Sequence, residues 1–192
     1  MRKLTIILIG LLTCTLTTGQ TYSSVVSDNE IYDFLNWLTV NTKKFSEEPK
    51  LKRKQICNKI LEWNKDVFFI DTIQVNNQQI IADYDCLYQT RYGTDTIFNQ
   101  RDRDFIFQQF IAIKDSIWHR GFSNSKLLTI QKQEPQNKHY YSVPLFSLDK
   151  DYVIINKHYH CGNECAYGGY YVYKRIGTKK WKFVTVINPW MS

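Results

Sequence analysis

Residues 151–187 read DYVIINKHYHCGNECAYGGYYVYKRIGTKKWKFVTVI, and this stretch decides the fold. It holds three runs rich in β-branched and aromatic residues, at 151–160, 169–176 and 181–187, which is the composition of β-strands. Turn-type residues, Gly177-Thr178-Lys179-Lys180, separate the last two runs. Short connections of this kind join antiparallel neighbours, so the stretch predicts a β-meander.

Strand patterns continue upstream, at 127–130 and 140–146, and Leu148-Asp149-Lys150-Asp151 is the turn that joins them to the later strands. All five strands are therefore predicted to form one antiparallel meander. Two shorter runs, at 67–70 and 80–82, are also predicted as strands, separated by a turn at 76–79.

The part before these strands has helical signals. Ser27-Asp28-Asn29-Glu30 is a capping box followed by apolar residues at helical spacing, which predicts a helix over 28–43. Ser46-Glu47-Glu48-Pro49 is a second start signal, and Ile56, Ile60 and Trp63 would share one face of that helix. Asn99 predicts the start of a third helix that runs through Trp118.

Helices followed by strands indicate an α+β fold, with N-terminal helices packed on a C-terminal antiparallel β-sheet. The N-terminus predicts a signal peptide over residues 1–19, because basic Arg2-Lys3 precedes a short apolar run and small residues. Residues 20–192 then form a single α+β domain that is exported to the periplasm or secreted. In the alternative, Cys14 is acylated and the protein is a lipid-anchored envelope protein, the one case in which we expect membrane association.

Charge and motif content bear on partners. Removal of residues 1–19 lowers the formal net charge from +7 to +5, and this modest excess favours an anionic envelope glycan or a protein as partner over nucleic acid. The chain has no phosphate-binding glycine loop, no H-E-x-x-H and no G-x-S-x-G motif. We therefore expect no cofactor, and we favour binding over catalysis.

Four cysteines remain after the predicted signal peptide. In an exported chain an even number indicates disulfides, and we prefer the pairs Cys161–Cys165 and Cys57–Cys86 among three connectivities.

His158-Tyr159-His160-Cys161-Gly162-Asn163-Glu164-Cys165 crowds reactive side chains together, and three interpretations stay open. The favoured one is a disulfide that pinches the connection between two strands. A metal site would use His158, His160, Cys161 and Cys165 as ligands. A metal-dependent or His/Glu-based hydrolase would be centred on His158, His160 and Glu164.

The C-terminal half is rich in tyrosine and tryptophan. Cross-strand aromatic packing accounts for most of these residues, and an aromatic sugar-binding platform is the functional alternative. Beside the hairpin, we predict a candidate binding surface formed by His158, His160, Glu164, Tyr167 and Tyr171.

Val143-Pro144-Leu145-Phe146-Ser147-Leu148-Asp149 is followed by Tyr152-Val153-Ile154-Ile155, by Cys161-Gly162 with Cys165, and by Lys180-Trp181-Lys182. With this order, residues 143–190 resemble a family of small uncharacterised exported or lipoprotein-like proteins of Gram-negative bacteria that share a "PLFS-D … CG-x-x-C … KW" segment. The resemblance implies an exported domain with a disulfide-like hairpin and adds no catalytic residue. Ala166 stands where that pattern has a second glycine.

The resulting functional hypothesis is an exported, non-enzymatic binding protein that takes a protein partner or an envelope glycan. The alternatives are the hydrolase centred on the Cys-Gly hairpin and an inhibitor or immunity-type protein.

Overall fold

The computed structural model of the chain describes residues 21–41, 54–68, 72–75, 78–81, 97–123, 125–128, 137–162 and 165–192. Within them lie two α-helices, α1 Asp28–Asn41 and α2 Gln100–Ile111. The strands are β1 Lys54–Cys57, β2 Thr72–Val75, β3 Gln78–Ile81, β4 Ser125–Leu128, β5 Lys138–Tyr141, β6 Leu145–Phe146, β7 Tyr152–Gly162, β8 Cys165–Gly177 and β9 Lys180–Met191. Neither described helix has the length and apolarity needed to cross a bilayer.

Seven of these strands form one mostly antiparallel sheet, in the order β4-β1-β5-β7-β8-β9, with β6 also paired to β7. The meander prediction is confirmed for β7, β8 and β9, which pair with their sequence neighbours in antiparallel fashion. It is wrong for the other end of the sheet, because β1 lies between β4 and β5 and runs parallel to both. Strands β2 and β3 form a separate antiparallel pair.

Helix α1 confirms the predicted helix as far as Asn41, and the residues beyond it lie outside the described part. One half of the predicted capping box is present, since the backbone N–H of Glu30 donates to Ser27 Oγ at 3.4 Å. The apolar face of α1 is fully buried, and Phe34 makes edge-to-face contacts with Tyr173 and Trp181 at centroid distances of 5.5 and 5.4 Å. This face therefore anchors α1 on one face of the sheet.

Helix α2 begins as predicted but is shorter. Asn99 forms a reciprocal capping box with Asp102, whose carboxylate also accepts the N–H of Leu148 at 3.0 Å. The prediction of a helix through Trp118 is wrong, because the helix ends at Ile111. Ile113 and Ile117 instead form isolated β-bridges with Ser23 and Lys59, and these tertiary partners interrupt the helical pattern.

The predicted second helix is wrong over its described part. Residues Lys54–Cys57 form strand β1, and Ile56 and Cys57 are fully buried. Pairing on both sides with β4 and β5 outweighs the helical spacing of Ile56, Ile60 and Trp63.

Two of the short strand and turn predictions also need correction. Val67 ends a 3-10 helix, Lys65–Val67, where the pattern predicts a strand, and residues 69–71 lie outside the described part. Gln78 and Gln79 belong to β3, where the pattern predicts a turn, while 76 and 77 lie outside the described part. The strand predicted from Ile80 is confirmed through Ile81 and begins two residues earlier.

The sheet separates two apolar clusters. One contains α1 together with Val153, Ile155, Tyr171 and Tyr173. The other contains Ile106 of α2 with Leu145, Ile154 and Val172, and also Trp63 and Val67. Because neighbouring residues of β7 alternate between the clusters, α1 and α2 lie on opposite faces of the sheet.

Candidate functional site

The Cys-Gly hairpin is the connection between β7 and β8. The structure places the sulfur atoms of Cys161 and Cys165 at disulfide distance, with their Cα atoms 5.1 Å apart. Gly162, with φ of 150°, pairs directly with Cys165 after a register shift in the hairpin. The favoured interpretation of this hairpin as a stapled loop therefore fits the structure.

The metal alternative needs both thiolates, and the disulfide occupies them. Among the described residues no three His, Cys, Asp or Glu side chains are grouped closely enough to hold a metal ion. His158 and His160 do lie on one face of β7, as the alternation of a strand predicts. Glu164, the third residue of the hydrolase alternative, lies outside the described residues.

The predicted binding surface is divided between the two faces of the sheet. Tyr167 pairs with Tyr159 across the hairpin. Tyr159 lies between His158 and His160 in β7, so its side chain and that of Tyr167 point to the other face of the sheet. Tyr171 is buried in the cluster beneath α1, where the ammonium group of Lys157 lies 4.9 Å from its ring centroid. Both tyrosines are therefore on the face opposite the two histidines.

Other site predictions fall wholly or partly outside the described residues. Cys57 is buried in β1, and its predicted partner Cys86 is not among the described residues. The signal peptide and the lipidation alternative at Cys14 fall within residues 1–20, which are likewise not described. These predictions stay predictions.

A concave site lies on the histidine face, near the end of β9. It is an open cleft of about 750 Å³, which we call the aromatic cleft. Its lining comes from the segment after β1 and from strands β7, β8 and β9: Glu62, Trp63, Asn64, Val67, Asn156, His158, Gly169, Tyr170, Asn188, Pro189 and Trp190.

A pair of stacked rings forms one wall of the cleft. The rings of Trp63 and Tyr170 are nearly parallel, with centroids 5.6 Å apart and 13° between their planes. Trp63 is 7% exposed, and its indole N–H donates to the carbonyl oxygen of Val143 at 3.0 Å. This hydrogen bond satisfies the polar atom of a buried indole and holds the wall in place.

Trp190 and His158 form the second wall. Their rings meet edge to face at a centroid distance of 4.8 Å, although β8 lies between their strands. They can meet because the intervening residue is Gly168, where a Cβ atom would lie 2.4 Å from His158 Cδ2 and 2.8 Å from Trp190 Cζ2. Burial lowers the pKa of His158, so the imidazole is mainly neutral near pH 7.

A β-bulge gives this wall its shape. Gly168 pairs with Trp190 and Tyr170 pairs with Ile187, so Asn188 and Pro189 stand opposite the single residue Gly169. Asn188 has a left-handed φ of 45°, which asparagine tolerates better than most residues. Bulges re-aim side chains beside functional sites, and here Asn188, Pro189 and Trp190 all line the cleft.

Besides His158 and Tyr170, the polar residues of the lining are three asparagines and one glutamate. Asn156 is 5% exposed, and its Nδ2 donates to the backbone carbonyl oxygen of Glu62 at 3.2 Å. Its backbone N–H donates to Ser142 Oγ at 3.0 Å. The Glu62 side chain is well exposed and lies 3.8 Å from the ammonium group of Lys59.

Among the residues that line this cleft, the sequence pattern singles out only His158. It assigns Trp63 to a helix and Asn156 to a strand. Tyr170 lies in a predicted strand and is one of the aromatic residues of the possible sugar-binding platform. Trp190 lies beyond the last predicted strand, which ends at residue 187. The available signal was the alternation of β7, which places Asn156 and His158 on one face, together with Gly168-Gly169 as a place of close approach.

Comparison of the chain with protein-family models, curated proteins and solved structures gave no match. The family resemblance of residues 143–190 therefore stays a prediction.

Proposed function

We propose that this protein is a non-enzymatic binding domain and that its ligand occupies the aromatic cleft. The observation that carries the proposal is the cleft itself, in which three aromatic rings and three amide side chains converge in one open cavity of about 750 Å³. Ligand sites in proteins are concave, mostly apolar and lined by a few well-placed polar groups.

The rigidity of the cleft supports binding. Trp63 is anchored by its hydrogen bond to Val143, and Tyr170 and Trp190 lie on paired strands. A ligand would meet walls that are already ordered, so little conformational entropy would be lost when it binds.

We further propose that the domain is exported, as the pattern of residues 1–19 predicts. The Cys161–Cys165 disulfide supports export, because disulfides persist in oxidising compartments. The ligand would then be an envelope glycan or an exported protein.

The test uses an array that carries neutral, anionic and amino-sugar glycans, tetraalkylammonium groups and peptides, probed with the mature protein and with Trp190→Ala. We expect at least one ligand class to retain the wild-type protein and to lose the variant. Phe183→Ala is the matched control, because Phe183 is an aromatic residue of the same strand with similar exposure, 45% against 40%, and does not line the cleft.

The proposal fails if every retained ligand also retains Trp190→Ala, because the cleft is then not the binding site. It also fails if mass spectrometry shows that the wild-type protein converts a retained ligand into a product. Circular dichroism of each variant confirms that it is folded.

A further inference from the structure

We propose that the ligand of the aromatic cleft is a neutral oligosaccharide, with the apolar face of one sugar ring lying against Trp190 or Tyr170. This inference rests on the proposed function, since it names the chemical class that the same cleft would bind. Three properties of the lining carry it: its aromatic surfaces, its amides and its charge.

The aromatic surfaces suit a flat ligand with C–H groups on one side. Trp190 is 40% exposed and Tyr170 is partly exposed, whereas Trp63 is nearly buried behind Tyr170. The outer aromatic residues therefore present surface to a ligand, and Trp63 supports one of them. The axial C–H groups of a pyranose carry partial positive charge and are attracted to the negative face of an aromatic ring.

The amides suit a ligand with many hydroxyl groups. Asn64, Asn156 and Asn188 line the same cavity as the rings. An amide side chain has two N–H donors and an oxygen with two lone pairs, so it can donate to one hydroxyl group and accept from another. A sugar hydroxyl also donates and accepts, so the amides complement vicinal hydroxyls in either direction.

The charge of the cleft lining favours a neutral sugar over an anionic one. Among the described residues that line the cleft, Glu62 is the one formally charged group, and none is lysine or arginine. An anionic ligand is usually bound by arginine or lysine, and here it would meet a carboxylate. The cleft therefore favours a neutral ligand, although the chain as a whole is basic.

A quaternary ammonium ligand is the main competitor, because aromatic rings with a nearby carboxylate also bind such cations. The position of Glu62 argues against it. Its carboxylate is exposed and lies beside Lys59, so its attraction for a cation would be screened by water and by that ammonium group.

The test is isothermal titration of the mature protein with four probes: triacetylchitotriose and cellotriose as neutral sugars, trigalacturonate as an anionic sugar, and choline as a cation. We expect at least one neutral trisaccharide to bind and to change the tryptophan fluorescence. Trp190→Ala should weaken that binding at least tenfold, and Phe183→Ala should leave it within about twofold. Binding should change by less than about twofold between 0.05 and 0.5 M NaCl, because no ion pair is involved.

Glu62→Gln distinguishes binding of a neutral sugar from binding of a cation without removing an aromatic ring. A cleft that binds choline through this carboxylate would lose affinity for choline at least tenfold, whereas the loss of one negative charge should weaken the binding of an uncharged trisaccharide much less than Trp190→Ala does. Glu62 is well exposed, so we expect the variant to remain folded.

The outcomes distinguish failure of the saccharide inference from failure of the proposed function. If choline or trigalacturonate binds in a manner that depends on Trp190, while neutral trisaccharides do not bind at 10 mM, the saccharide inference is wrong and the proposed function stands. If no probe binds and the array also shows no ligand that depends on Trp190, both are wrong. A neutral trisaccharide that Trp190→Ala binds as well as wild type also overturns the inference, because its site is elsewhere.

Discussion

Gly168 allows Trp190 and His158 to meet across β8, and its replacement by alanine is the sharpest test of the cleft geometry. A Cβ atom there would lie 2.4 Å from His158 Cδ2, 2.8 Å from Trp190 Cζ2 and 2.9 Å from the backbone oxygen of Lys157. Rotation of the two rings could relieve the first two contacts. The third is with the backbone of a paired strand, so relief requires β7 and β8 to shift.

The expected loss of stability follows from two opposing effects. Overpacking of a buried site costs about 1–3 kcal/mol. Alanine also restricts the unfolded chain, which stabilises the protein by about 0.4–1 kcal/mol. We expect Gly168→Ala to lower the free energy of unfolding by about 1–2 kcal/mol, which corresponds to a fall in Tm of about 2–8 °C for a chain of this size.

Gly177→Ala is the matched control. Gly177 lies on the same strand, and a Cβ atom there would have no heavy atom within 4 Å. The effect on the unfolded chain is common to both variants, so the difference between them isolates the overpacking. We expect Gly177→Ala to be between unchanged and about 1 kcal/mol more stable than wild type.

The assay is urea denaturation followed by circular dichroism, with the free energy taken from midpoints at equal m values. Gly168→Ala should be about 1–3 kcal/mol less stable than Gly177→Ala, and its tryptophan emission should change as Trp190 moves. A difference below about 0.5 kcal/mol would refute the close approach of His158 and Trp190 over this glycine.

Three further predictions concern the core, the hairpin and pH. Gln109 is buried, and its amide both donates to and accepts from the backbone of β6, at 2.7 and 2.9 Å, so Gln109→Leu should lower stability by at least about 2 kcal/mol, measured by urea denaturation. Exposed Gln108→Leu should change it by less than about 0.5 kcal/mol, and equal effects would contradict this role of Gln109. Removing the Cys161–Cys165 disulfide by a double alanine substitution should cost no more than about 2 kcal/mol, measured by the same denaturation, because the closed loop is short. A wild-type protein that titrates with free thiols at these two positions would contradict the disulfide. Burial keeps the folded pKa of His158 below its ordinary value of 6.5, so the unfolded chain binds the proton first as pH falls. Stability should therefore fall from pH 7 toward the folded pKa and then level off, and His158→Gln should lose less stability over this window in the same denaturation assay. A wild-type protein that gains stability relative to the variant as pH falls would show that the sign is wrong.

Several elements could be predicted from the sequence because their signals are local. Ser27 caps the start of α1 and Asn99 caps the start of α2, since each side chain accepts a backbone N–H three residues along the chain. The hairpins of β7, β8 and β9 follow from β-branched and aromatic runs separated by turn residues. The pairing of Cys161 with Cys165 is local in the same sense, because only three residues separate them in the chain.

Elements that depend on distant partners were predicted wrongly. Lys54–Cys57 has helical spacing with later apolar residues, yet it is a strand because β4 and β5 bind it on both sides. Helix α2 stops at Ile111 because the residues beyond it pair with segments far away in the chain. A single sequence does not show which distant segments pair with one another. A prediction made from it therefore follows the local pattern.

The aromatic cleft depends entirely on residues that are far apart in the chain. Its lining comes from four separate segments, near residues 62–67, 156–158, 169–170 and 188–190. By itself the sequence determined the hairpins of β7, β8 and β9, the stapled connection and the side of β7 on which His158 lies, because these depend on neighbours within a few residues. Only the tertiary structure decided that Trp63 stacks on Tyr170 and that Trp190 reaches His158. Those contacts depend on sheet register, on the bulge in β9 and on the space left by Gly168, and each of these involves residues that are far apart in the chain.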